Sequence, residues 1–151
     1  MKRILKVMSL LALVAVLAMA LVACGGGGDS EGECKVVIAS SPETVYTVDL
    51  SELEITEGVY SVLKYLKENE GLEFSATESA ATGAYLNTVE GIELQSSQYI
   101  WVWTSVEADF DTSGFVSDVE YGGVTLKSSA NGISSMSVPD GAIIYISFIE
   151  Y

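Results

Sequence analysis

The sequence predicts a single α+β domain of β-grasp-like form, one main helix packed on a mixed β-sheet, following an N-terminal leader and a flexible tether. Three observations predict it. The stretch Tyr99 to Val106, Y-I-W-V-W-T-S-V, is uncharged and rich in β-branched and aromatic residues, which favours a strand in the interior of a sheet. From Gly58 the apolar period changes: Val59, Val62, Leu63 and Leu66 fall at i, i+3, i+4 and i+7, the stripe of an amphipathic helix. The remaining apolar runs are short and separated by turn residues, so one helix must be buried against one face of a sheet built from them.

In order along the domain, Lys35 to Ser40 and Thr44 to Leu50 are β-rich runs separated by Ser41-Pro42-Glu43, which predicts an antiparallel hairpin. The helix follows, with Thr56 as candidate cap, Glu57 favourable at the positive end of the dipole and Gly71 as a left-handed terminator. Lys64, Lys67, Glu68 and Glu70 occupy its polar side. Leu72 to Thr77 is extended, Glu78 to Thr82 reads as loop, and Gly83 to Val89 is a short strand or turn.

After Tyr99 to Val106, the acidic segment Glu107 to Asp118 reads as a surface loop. Tyr121-Gly122-Gly123-Val124 is a turn between two short strands, and Val138-Pro139-Asp140-Gly141 is a second turn. The last strand, Ala142 to Glu150, carries Ile144, Ile146 and Phe148 on one face and Ile143, Tyr145 and Ile149 on the other.

Strand parity makes the central stretch two-sided. Tyr99, Trp101 and Trp103 share one face, while Ile100, Val102, Thr104 and Val106 share the other. The helix is expected to pack on Ile100, Val102, Ile144 and Ile146, leaving Tyr99, Trp101, Trp103 and Tyr145 on the opposite face. That aromatic face is either covered by the long 107–137 region as core or open as a surface for a planar ligand, a sugar or a partner protein.

The N-terminus supplies an address. Lys2, Arg3 and Lys6 precede an apolar run from Val7 to Ala23, the layout of a secretion signal. The run ends Leu21-Val22-Ala23-Cys24 before four glycines, which resembles the bacterial lipobox. A 1–23 signal peptide, a lipidated Cys24 and a Gly-rich tether over 24–33 are the expected arrangement, with the domain over 34–151. The chain is then exported and held on the extracytoplasmic face of the membrane, where several acyl chains at ~0.8 kcal/mol per buried methylene give stable attachment. The alternative, an uncleaved spanning helix, sits at the lower length limit.

Composition excludes several function classes. Beyond residue 23 the chain has four basic residues against 21 acidic ones, a formal charge of −17. Phosphate binding needs a basic patch, and Lys35, Lys64, Lys67 and Lys127 are scattered, so nucleic acid is not an expected partner. The chain has no histidine, and with Cys24 lipidated, Cys34 has no partner for a disulfide and too few companions for zinc. Cys34 reads as an idle thiol.

Glu107, Asp109, Asp111 and Asp118 are spaced somewhat like a calcium loop, but Thr112 stands where such a loop needs glycine, and a solvated acidic loop is preferred. No G-x-S-x-G or S-x-x-K pattern is present, and the acidic pairs follow no glycosidase spacing, so the chain reads as a non-enzyme with no catalytic residues and no cofactor.

Taken in order, the leader, G-V-Y-S-V-L-K-Y-L on a helix, G-A-Y-L-N-T-V-E-G-I, Y-I-W-V-W and a closing P-D-G-A-I-I-Y-I-S-F resemble the transcobalamin-like C-terminal domain family, bacterial surface domains related to the small domain of transcobalamin and intrinsic factor. Gly83, Tyr85, Leu86, Val89, Gly91 and Ile92 fit that family's G-x-Y-[IL]-x-x-[IV]-x-G-[IL] segment, and Trp101 or Trp103 its tryptophan strand. Many members follow that strand promptly with V-N-G, whereas this chain inserts T-S-V-E-A-D-F-D-T-S-G. The resemblance implies a lipid-anchored accessory that binds a small ligand, a corrinoid such as cobalamin or another small molecule, through Tyr85, Tyr99, Trp101, Trp103 and Tyr145. The alternative is a surface module that binds a protein or envelope glycan and has no small ligand.

Overall fold

The structure is a computed structural model that describes residues 31–150. The leader, Cys24 and the glycine tract lie outside the described residues. Eight strands form two sheets: β1 (Glu33–Ile38), β2 (Thr44–Asp49), β5 (Gln98–Thr104), β6 (Val119–Tyr121), β7 (Val124–Ser128) and β8 (Ile143–Glu150) in the larger, and β3 (Phe74–Ser79) with β4 (Gly83–Val89) in the smaller. The larger sheet runs β2-β1-β8-β5-β7-β6. Only β1 and β8 are parallel; the other neighbours are antiparallel, so the sheet is mixed. This is the expected α+β arrangement.

The helix, α1 (Gly58–Asn69), buries the predicted stripe: Val59, Val62, Leu63 and Leu66 are all at most 1% exposed. They belong to one apolar cluster with Val36, Ile38, Ile100, Val102, Ile144 and Ile146, the aliphatic face of the sheet. The stripe also buries Leu72, Leu86 and Val89 beside it, so the small sheet closes the flank of the same core. Gly71 takes φ 76°, and Leu72 N–H reaches back to Leu66 O at 3.2 Å, ending the helix where predicted.

The helix start is built differently from expectation. Thr56 does not cap it. Glu57 holds the cap position without a side-chain bond, and Ser61 Oγ, one turn inside, accepts from Glu57 N at 2.9 Å and Thr56 N at 3.3 Å. Tyr60 N–H donates to Ile133 O at 3.1 Å, so an early helical amide is satisfied by the distant 129–137 segment. Gly58 permits that approach: at φ 50°, a Cβ there would lie 2.2 Å from Met136 O.

Other bounds move by a few residues. β1 ends at Ile38, β3 extends to Ser79 through residues expected to be loop, and β5 ends at Thr104, two residues before Val106. Gly122 and Gly123, at φ 58° and 80°, make the tight turn between β6 and β7, and both conformations need glycine. At the second turn Ala142 N donates to Pro139 O at 3.1 Å, and Asp140 Oδ1 accepts from Glu33 N at 3.0 Å, tying that turn to the start of β1.

Cys34 is buried at 1% exposure in the helix-facing cluster and is a free thiol; burial pushes its pKa up to about 11. At pH 8 about one thiol in a thousand is then ionised, against roughly a quarter for an ordinary cysteine. With Cys24 replaced by serine, Cys34 is expected to react with a disulfide reagent at least ~100-fold faster in urea than in buffer; equal rates would contradict its burial.

Candidate functional site

The register of β5 with β8 sets Trp103 opposite Tyr145, Trp101 opposite Ser147 and Tyr99 opposite Ile149, which keeps all three aromatics on the face away from α1. That face is neither fully covered nor fully open. Trp103 is 4% exposed, flanked by Tyr145 edge-on at 6.1 Å, and its Nε1–H donates to Ser117 O at 2.9 Å. The Trp103 indole therefore holds the 110–118 loop over the sheet.

Most of the 107–118 segment is exposed, as expected of a surface loop, and one of its acids, Asp109, departs from that expectation. Asp109, in a short 3-10 turn (Glu107–Asp109), is 3% exposed; its carboxylate accepts from Ser137 N at 2.7 Å and Asn131 Nδ2 at 3.0 Å. Its backbone oxygen accepts from Ala130 N at 3.0 Å. Asp111 folds onto Ser113, whose backbone N–H and then hydroxyl hold the carboxyl below the usual aspartate range. Of the four acids spaced somewhat like a calcium loop, Asp109 and Asp111 are thus engaged by separate partners, and among the described residues no three potential ligands converge.

Between this loop and β8 lies an open groove of about 590 Å³ lined by Trp103, Phe115, Val119, Tyr145, Phe148 and Ile149, among others. Phe115 and Phe148 are exposed at 62% and 40%. Tyr121 stands 5.9 Å from Tyr145 and extends the ring cluster. Burial, then the charge of Glu43, then Tyr121 raises the Tyr145 phenol pKa, so it stays a neutral hydrogen-bonding group at physiological pH. Asp118 and Glu150 line the groove and no lysine or arginine does, which favours a neutral or cationic occupant.

The five aromatic residues singled out from the sequence do not form one platform. Trp103 and Tyr145 line the groove. Trp101 and Tyr85 line a separate, smaller cavity between β4 and β5. Tyr99, 54% exposed, lines neither of these two. The division has a structural cause: β7 pairs only with Trp103 and Thr104, so at Trp101 the place of a neighbouring strand is taken by the 129–133 segment and β4. Sequence reasoning missed Phe115 as a groove residue and Tyr121 as a ring packed beside Tyr145. Phe115, isolated in a polar loop, was the available signal.

No family model matches the chain, and no curated protein matches it. Among solved structures, the fold is similar to haptocorrin in complex with Cbi, with a TM-score of 0.54 at 15% identity over 86% of this chain. The match spans 28% of the haptocorrin chain, so the likeness concerns one portion of that protein. A Ruminococcus gnavus ATCC 29149 protein provisionally described as metal-binding aligns over 80% of this chain and 99% of its own, with a TM-score of 0.48 at 15% identity. The haptocorrin likeness establishes a shared fold.

Proposed function

We propose that this chain is an exported, lipid-anchored protein whose domain binds a small ring-bearing ligand, a corrinoid in the first instance, as an accessory to its uptake. The observation that carries the reading is the aromatic groove. Its volume of about 590 Å³ is that of a small-molecule site, and it joins ring walls to a few polar groups. A fold shared with haptocorrin, a structure of which contains Cbi, makes cobinamide the ligand to test. The leader, the lipobox-like Leu21-Val22-Ala23-Cys24 and the glycine tract support the anchored location. The domain acts by binding and performs no catalysis in this reading.

The test is titration of dicyanocobinamide into the full chain in detergent micelles, followed by tryptophan fluorescence corrected for absorption by the ligand. Saturable quenching is expected, with affinity reduced at least fivefold in Phe115→Ala. Absence of saturable quenching would remove the corrinoid reading. The exposed ring of Phe115 favours the second reading, a surface module whose apolar contact is another protein.

A further inference from the structure

The outer edge of β2 is open. Along β1, Lys35 N donates to Ala142 O, Ala39 N donates to Ile146 O and Glu33 O accepts from Gly141 N, so its odd-numbered residues face β8. The even-numbered ones, Cys34, Val36 and Ile38, therefore face β2 at Val48, Tyr46 and Thr44, and Leu50 N continues that ladder to Gly32 O at 2.8 Å. Val45, Thr47 and Asp49 alternate with these and turn their N–H and C=O groups away from β1. Among the described residues, nothing bonds to the main chain of Val45 or Thr47 on that side.

Such a row of main-chain groups is a template for an added strand. No proline or lysine lies within Thr44–Asp49, its pairing has no bulge, and Val45 is 45% exposed, so the devices that blunt an edge are missing. At the opposite edge of the sheet, β6 offers three residues.

The surroundings set the charge of what can dock. On the face away from α1, Asp49 closes the strand, Glu33 stands opposite it on β1, and Glu43 precedes the first residue. On the helix side, a hollow of about 390 Å³ lined by Pro42, Thr44, Tyr46, Leu72 and Glu90, among others, lies beside the strand. Partial burial, then Glu90, then Glu70 raises the Tyr46 phenol pKa, so both carboxylates act on that side. Lys35, opposite Thr47, is the one cation among these neighbours. A second copy of this acidic chain would bring like charges together at the edge, whereas a basic segment complements it.

We propose that the β2 edge is a docking site for an extended, lysine- or arginine-bearing segment of another protein, added to the sheet as a strand beside residues 45–49. Its main chain pairs with Val45 and Thr47, and its basic side chains lie towards Glu43 and Asp49 on one face and Glu90 on the other. The edge shares no lining residue with the aromatic groove and stands or falls apart from the corrinoid reading.

The test titrates a blocked hexapeptide of alternating lysine and valine into the ¹⁵N-labelled full chain in neutral detergent micelles. Exchange of the Val45 and Thr47 amide protons with water is expected to slow saturably, at least threefold, while the amides of Tyr46 and Val48, which face β1, keep their rates. Thr47→Pro removes an outward N–H without touching the β1 ladder and is expected to weaken the peptide at least fivefold. Glu43→Gln, at an exposed position, is expected to weaken it at least twofold. A blocked hexapeptide of alternating glutamate and valine is expected to leave all four amides unchanged. No slowing with the basic peptide, equal slowing by both peptides, slowing of inward and outward amides alike, or undiminished affinity in Thr47→Pro would each overturn the proposal.

Discussion

Leu63→Ala is expected to destabilise the domain by about 3 kcal/mol, within the range for truncating a fully buried leucine. Leu63 is 0% exposed at the contact of α1 with the aliphatic face of the sheet, among Ile100, Val102, Ile144 and Ile146. The cost combines the lost transfer energy of the removed methyl groups with the cavity they leave, which stiff sheet neighbours cannot collapse into. Urea unfolding measures it as a lower midpoint with an unchanged slope. A loss below ~1 kcal/mol would mean that α1 does not seat on this face.

Asp109→Ala is expected to cost a comparable amount, about 3 kcal/mol, although it removes no apolar contact. The carboxylate serves Ser137 N and Asn131 Nδ2, at sequence separations of 28 and 22 residues, in two part-buried bonds whose acceptor is buried and whose donor residues are exposed. Removing it takes away two hydrogen bonds to a charged group, each of which contributes about 1.5–3 kcal/mol. Asp109→Asn keeps the shape but presents an amide nitrogen to one of two donors, so it recovers part of the loss. In contrast, Asp111→Ala, at an exposed turn, is expected to change stability by less than ~1 kcal/mol. If the two alanine variants unfold at the same urea midpoint, Asp109 is not the latch that its geometry describes.

Features set by local period were legible in the sequence. The helix stripe Val59, Val62, Leu63 and Leu66 follows the 3.6-residue repeat, and the faces of β5 follow the two-residue repeat, so both could be assigned before any partner was known. The Gly122-Gly123 turn was legible because its backbone conformation excludes most other residues.

What was not legible depends on partners far along the chain. Burial of Asp109 arises from donors in the 131–137 segment, and composition alone marked it as one more acid on the surface. Ser61 replaces Thr56 at the helix start because its hydroxyl reaches back to Glu57 and Thr56, while Ile133 reaches Tyr60 from outside the helix. The division of Trp101 from Trp103 follows from β7 stopping short along β5. Alternation places two side chains on one face without fixing what lies above each of them.

The central claim is that β5 serves two separable purposes, with its aliphatic face holding the core and Trp103 on its other face lining the proposed ligand groove. The most direct measurement compares the melting temperature of wild type and Phe115→Ala with and without dicyanocobinamide. Without ligand, the two are expected to melt within ~2 °C of each other, because Phe115 is largely exposed. With ligand at a hundred times its dissociation constant, wild type is expected to gain about 2.7 kcal/mol and to melt several degrees higher, and the variant is expected to lose most of that gain. A ligand shift of the same size in both proteins, or in neither, would contradict the account.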